Sequence, residues 1–417
     1  MKNLKLLVVA LVAMFGFIAC DKHECVDHDH SADIVGTWTC IDEDFAEALV
    51  ISADGTVVST RLFANEYRED VKGTIVVENG NVTLTFEDGG NFKSHFDIIP
   101  GMAFSIFNEE GERLTYNYCA NDLADEVVGM WVSNQTTSDY VDSATGNDMH
   151  VQTYQNDGKA YFTGYLFDLG QFLANAESTY KVVGDILFQK MPSGLGEGAI
   201  MCTASRVTYT PNGTALGDIL SLVQYFTVGN NVIEHATSWL RVKQSLDLAG
   251  KKYDYIKTFV SNVKGLDKDV EFMGYTFNFA KMDGVKLDKM LKTLLFNVEF
   301  PDANTIKYAC HYNNEPMSME APIVVDGNKM TVKMSSKNAA YKDIDLYTFQ
   351  DADCSQMHMY MPTYAFINFF GNMQATMMSQ MGDLDLTDAA AVKAVFDSID
   401  NAVNTINVSF VMEKAAK

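Results

Sequence analysis

The run CDKHECVDHDH (20–30) concentrates metal-ligand types: His23, Cys25, His28 and His30, with His28 and His30 forming a short H-x-H chelating pattern. Together they are ligand types that would suit zinc. A structural site, however, needs such ligands on a closed scaffold, and no periodic strand or helix flanks these. Residues 21–32 have almost no apolar content to offset their own ordering entropy. They read first as a polar tether, with chelation as the alternative. A second group is SQMHMYM (355–361). On a strand, Met357, Met359 and Met361 face one way, and His358 and Tyr360 the other. Thioethers are soft ligands for copper(I), but methionine more commonly fills cores and shapes apolar pockets. Met357, Met359 and Met361, with Tyr364 and Phe370 beyond them, are therefore expected to line a pocket or a core. No catalytic motif accompanies them. GLGEG (194–198) lacks a strand-to-helix setting and a following lysine, so it reads as a loop. G-x-S-x-G, H-E-x-x-H and a P-loop are absent, and His95, His150, His235, His311 and His358 stand singly. An enzyme is not expected, and no cofactor.

The rest of the chain must say what positions such groups. It has 417 residues, 47% of them hydrophobic, which is enough for several cored domains. Its formal charge of −24 repels phosphate backbones, so nucleic-acid partners are excluded. Beyond the N-terminus nothing approaches the roughly 20 apolar residues of a membrane-spanning helix.

Lys2 and Lys5 precede an apolar run from Leu6 to Phe17, the shape of a secretory signal. It ends Phe17-Ile18-Ala19-Cys20, which resembles the lipobox of bacterial lipoproteins. The resemblance implies cleavage after residue 19, palmitate-type acylation of Cys20 and attachment to a membrane through that lipid, since each buried CH₂ contributes about 0.8 kcal/mol. Asp21, Glu24, Asp27 and Asp29 resemble the acidic stretch associated with surface display in lipoproteins of the Bacteroides type. Asp142-Ser143-Ala144 and Asp397-Ser398-Ile399 resemble the O-glycosylation triplets of these bacteria, the first in a polar loop, the second in a predicted helix.

DIVGTWTC (33–40) recurs as EVVGMWVS (126–133), so that Gly36 and Trp38 correspond to Gly129 and Trp131. The glycine permits close backbone approach, and the tryptophan is a large apolar plate able to plug a barrel end. A G-x-W opening a run of strands resembles lipocalins and their calycin relatives. With the lipobox, the chain resembles the multidomain lipocalin-like lipoproteins of Bacteroides-type bacteria, whose roles are mostly unassigned.

The expected fold is mainly β: tandem small antiparallel lipocalin-like barrels, followed by a C-terminal sheet domain carrying two helices. Residues 1–19 are the signal and 20–32 the tether. Residues 33–120 form a first barrel of about eight strands, with turns at Ala-Asp-Gly, Asn-Gly and Pro-Gly. Residues 125–282 form a second barrel with a helix over 214–226, where Leu216, Ile219, Leu220, Leu222 and Val223 fit a stripe. Residues 283–417 form an α+β barrel-like domain, with helices after Pro362 and Asp388. No C-x-x-C pair occurs. Cys40 and Cys119, each ending a strand at opposite ends of the first domain, are the expected disulfide. The function expected is that of an outer-membrane, surface-exposed lipoprotein binding a small apolar or amphipathic molecule or a glycan. The alternatives are an accessory lipoprotein without a small ligand, its protein partner unknown, and a metal-binding envelope protein.

Overall fold

The computed structural model describes residues 30–42, 45–63, 66–107, 113–133, 150–166, 171–190, 202–214, 217–228, 231–243, 245–265, 267, 269–272, 275–278, 281, 284–312 and 314–415. Cys20, His23, Cys25, His28, the loop 194–198 and the triplet at 142–144 lie outside the described residues.

The first eight strands are β1 (Gly36–Ile41), β2 (Phe45–Ile51), β3 (Thr56–Phe63), β4 (Glu66–Glu78), β5 (Asn81–Phe86), β6 (Asn91–Ile99), β7 (Ala103–Phe107) and β8 (Arg113–Cys119). They follow one another around a closed barrel. The turns are those the sequence dictates. Asn79 and Gly80 both take positive φ, 52° and 71°, the mirror-image turn that matches strand twist. Gly55 and Gly101 also take positive φ, and Asp54 accepts the Thr56 N–H at 2.9 Å.

A short helix α1 (Ala124–Val127) precedes the second barrel. Its strands are β9 (Gly129–Ser133), β10 (Val151–Tyr154), β11 (Lys159–Leu166), β12 (Gln171–Val183), β13 (Ile186–Lys190), β14 (Cys202–Thr214), β15 (Gly217–Val228) and β16 (Asn231–Val242). β9 closes the circle between β10 and β16. The predicted helix over 214–226 is instead β15, paired along its length with β16. Leu220 and Leu222, alternate residues, are the ones that enter the barrel core. A short apolar run satisfies both periods, and pairing with neighbours on both sides decided for the strand.

β17 (Lys251–Gly265), placed by sequence at the end of the second domain, hydrogen-bonds into the third barrel. A hairpin of β18 (Asp269–Phe272) and β19 (Tyr275–Asn278) and helix α2 (Gly284–Thr293) follow. The remaining strands are β20 (Asn297–Asp302), β21 (Thr305–Tyr312), β22 (Glu315–Asp326), β23 (Lys329–Val332), β24 (Ile344–Gln350), β25 (Gln356–Met361) and β26 (Val403–Lys414), the last closing onto β17. Helices α3 (Thr363–Met381) and α4 (Ala389–Ala402) lie between β25 and β26. Pro362 caps α3, and Gly382 ends it at φ 83°. Asp388 caps α4 by accepting the Ala390 and Ala391 N–H groups at 3.0 Å each. The chain is thus mainly β, with three eight-stranded antiparallel barrels and the long helices on the third.

By internal contact the chain forms two compact units. One holds the described residues of 30–36, 50–58 and 71–118, a part of the first barrel. Its core includes Val82, Leu84, Phe96 and the stacked pair Phe104–Tyr116, 4.7 Å between centroids. The other holds residues 37–49, 59–70 and 119–417. Among the described residues no helix is long and apolar enough to cross a membrane.

Candidate functional site

Both G-x-W tryptophans are fully buried. The indole N–H of Trp131 donates to the Val127 carbonyl at 2.8 Å, fastening α1 across the barrel end. The Arg241 guanidinium stands 4.3 Å from the Trp131 ring. It donates to the carbonyls of Val128 at 2.8 Å and Glu126 at 2.7 Å, and pairs with Asp218 at 3.1 Å. Asp218 also accepts the Asn212 N–H at 3.0 Å and the Tyr209 hydroxyl at 2.8 Å. These contacts, the Asn212 N–H first, hold its carboxyl below the ordinary range. Gly129 is required here. Its φ is 142°, and a Cβ on it would lie 2.7 Å from an Arg241 nitrogen. Gly36 repeats the device at φ 137°, with the Tyr118 ring 2.7 Å from the same position. A last-strand side chain thus lies over each glycine, Tyr118 in one barrel and Arg241 in the other.

The second barrel's interior is occupied by Trp131, Tyr154, Leu187, Val207, Leu220 and Trp239. Tyr154 donates to Gln189 at 3.0 Å, and burial raises its phenol. In the third barrel Met357, Met359 and Met361 belong to the large core with Ile306, Met330 and Met412. Their thioethers lie in hydrocarbon. His358 and Tyr360 face the other way, and Tyr360 packs with Met130, Leu240 and Phe349. Phe370 packs tilted against Phe366, 4.5 Å between centroids, and is half-buried. Tyr364 is exposed and donates to Asp345 at 3.1 Å. The methionine row is therefore core, and Tyr364 is surface.

Cys40 and Cys119 are thiols, so the pairing expected from strand order is not formed. The Cys119 sulfur is turned to the carbonyl of Asn121, 3.0 Å away. Burial pushes this thiol up. His30, the one described member of the N-terminal ligand run, pairs with Asp33 at 2.9 Å. Among the described residues no cluster of His, Cys, Asp and Glu could hold a metal ion.

A concavity does exist outside the barrel cores. Tyr67, Glu69, Asp157, Thr179, Tyr180 and Lys190 line a cleft of about 260 Å³, floored by Gly158 and the buried Phe188. β4 brings Tyr67 and Glu69, the β10–β11 turn brings Asp157, and β12 and β13 bring the rest. The Tyr67 ring lies 5.8 Å from Phe188, with the Lys190 ammonium 5.3 Å from its centroid. Asp157 is held by the Lys159 N–H at 3.1 Å. The Tyr180 hydroxyl donates to the Gln155 carbonyl at 2.9 Å. Burial raises the Tyr67 phenol and pushes Tyr180 up to about 12, so both are neutral donors across the physiological range. Lys181 pairs with Asp70 and, at 3.6 Å, with Glu69. Aromatic faces, two carboxylates and one ammonium thus converge on one small cavity. No sequence motif marks it, because its residues come from four separate segments.

The topology defines a multi-barrel β protein. No protein-family model matches the chain, and no curated protein matches it. Among solved structures, a protein of unknown function from the DUF3598 family of Nostoc punctiforme is similar over 50% of this chain and 97% of its own. Its identity is 14% and its TM-score 0.17. A variant of transferrin-binding protein B from Haemophilus parasuis is similar over 89% of this chain and 66% of its own, at 7% identity and a TM-score of 0.21. A porin-like protein from Bacteroides uniformis is similar over 49% of this chain and 94% of its own, at 11% identity and a TM-score of 0.13. Scores this low carry no weight for function.

Proposed function

We propose that this chain is a cell-envelope lipoprotein, tethered through Cys20 and displayed at the outer-membrane surface, that binds a neutral glycan through the Tyr67–Tyr180–Lys190 cleft. The observation that carries the reading is the cleft's chemistry, set beside barrel cores filled by side chains. A sugar ring offers apolar C–H faces to aromatic rings and hydroxyls to carboxylates and ammonium groups. The volume, below the roughly 300 Å³ of drug-sized sites, suits a single sugar residue of a longer chain. The formal charge of −24 disfavours sulfated or uronic polymers.

Calorimetric titration of neutral oligosaccharides into the mature chain tests the site. Tyr180→Ala and Asp157→Asn are each expected to weaken binding about tenfold, the loss of one stacking or hydrogen-bond contact. Equal affinity in both variants would remove the cleft from the reading. The anchor is tested separately: Cys20→Ala is expected to release the chain from envelope fractions and abolish palmitate labelling.

A second reading, an accessory lipoprotein without a small ligand, is favoured by one observation. Trp131, Tyr154 and Trp239 put large buried side chains in the core of the second barrel. Absence of any carbohydrate binding by the intact chain would select it.

A further inference from the structure

The β21–β22 hairpin carries the interior-facing row of the third barrel out to its rim. Ile306 opposite Ala321 is buried inside. Next along the row stands Tyr308 opposite Met319, and then Cys310 opposite Met317. Directly opposed residues share one face of the sheet. Exposure rises outward along it: Met319 is 38% accessible and Met317 45%, while Cys310 is half-buried. Phe296 stacks on Tyr308 at 6.2 Å and closes the row from inside. The His311 N–H donates to the Leu294 carbonyl at 2.7 Å, fixing the hairpin to the end of α2.

Three sulfur-bearing residues therefore share one face of the ladder at the barrel rim, Met317 directly opposite Cys310 and Met319 diagonal to it. Cβ atoms directly opposed on a ladder are about 5 Å apart, and diagonal neighbours about 7–8 Å. Methionine's three rotatable bonds let both thioethers swing towards the thiol. We propose that Cys310, Met317 and Met319 form a copper(I) site. An all-sulfur set of one thiolate and two thioethers selects a soft monovalent ion over zinc, which takes thiolate, imidazole and carboxylate but not thioether donors, and over calcium or magnesium, which take oxygen donors. The core methionines of β25 offer no such place, because no open face reaches them.

The charge balance is simple. Cys310 is protonated when empty, since burial raises its thiol. Binding breaks the S–H bond, forms a copper–sulfur bond and releases one proton to water. The copper keeps its oxidation state and the site stays neutral.

The test is anaerobic titration of the full mature chain with copper(I), against bathocuproine disulfonate as competitor. One equivalent is expected to bind, with only sulfur neighbours in the X-ray absorption spectrum. Cys310→Ser should weaken this binding about a hundredfold or more. The paired substitution Met317→Leu with Met319→Leu, which conserves volume and keeps the fold, should weaken it about tenfold while leaving one thiolate. Unchanged affinity in the paired variant overturns the proposal. So does a metal shell containing nitrogen or oxygen.

Discussion

At the scale of single residues, what was legible was what repeats. Two G-x-W triplets stand out in sequence because glycine and tryptophan each have few other uses together, and both became buried plates beside a glycine that a Cβ would block. Their partners were not legible. Arg241 serves Trp131 from the far end of the second barrel, and no local pattern announces a contact made only when the sheet closes. His358 illustrates the same limit with a measurable consequence. As a lone histidine in a methionine strand it carried no sign of burial, yet it lies between Phe349 and Val411 across the ladder, next to Tyr360. Its Nε2 has no partner among the described residues. Burial lowers its pKa to about 4. The unfolded chain, with an ordinary value near 6.5, binds the proton first as pH falls. His358 thus costs nothing above about pH 6.5. Its contribution then falls by about 1.4 kcal/mol per pH unit until about pH 4, where the loss levels off. His358→Leu should remove this slope. Urea unfolding of both proteins from pH 7 to pH 4 measures it, and parallel curves would show that the imidazole does not titrate as its surroundings require.

At the scale of elements, hairpins with two-residue glycine turns were readable because the turn itself demands φ above zero, as at Asn79-Gly80. The α4 start was readable because Asp388 is a capping residue before an apolar stripe. β15 was not, since its apolar run fits both a helix and a strand and only its partners distinguish them. β17 was also misplaced in the sequence, because a first strand looks like a last one until its neighbours are known. Helix α3 holds a further element-level constraint. Gly371 sits where α3 meets α4, and a Cβ there would be 2.3 Å from the Phe396 ring. Alanine is the better helix former by about 1 kcal/mol, but forcing Phe396 aside costs about 1–3 kcal/mol. The overlap is deep and Phe396 is buried, so packing wins. Gly371→Ala is expected to lower stability by about 1–2 kcal/mol in denaturant unfolding. An increase would mean that α3 and α4 separate at little cost.

At the scale of the whole molecule, tandem barrels were legible from composition and turn spacing, but the coupling between the second and third was not. Those two barrels share an apolar cluster in which Met130, Val132, Val151, Leu240 and Val242 meet Tyr347, Phe349 and Tyr360. The linker continues the contact. The Lys243 N–H donates to the Gln350 carbonyl at 2.7 Å. Gln350, fully buried, accepts the Asp247 N–H at 2.6 Å and donates to the Asp247 carbonyl at 2.9 Å and to the Tyr253 hydroxyl at 2.8 Å. One side chain thereby ties the incoming linker to β24 and to β17, the strand that closes the third barrel. Two barrels joined this way should unfold as one cooperative block, because separating them exposes the apolar cluster and strands the Gln350 partners together. Gln350→Ala removes three hydrogen bonds, two to the exposed Asp247 backbone and one to the buried Tyr253 hydroxyl, which keeps its bond to the Cys354 carbonyl, a loss of about 1–3 kcal/mol. Calorimetry should then show the single wild-type transition of these barrels shifting down and broadening into two. Hydrogen exchange should show protection lost first along residues 243–253. If the variant retains one sharp transition at the wild-type temperature, the glutamine is a passenger and the barrels are held by the Tyr347–Phe349–Tyr360 face alone.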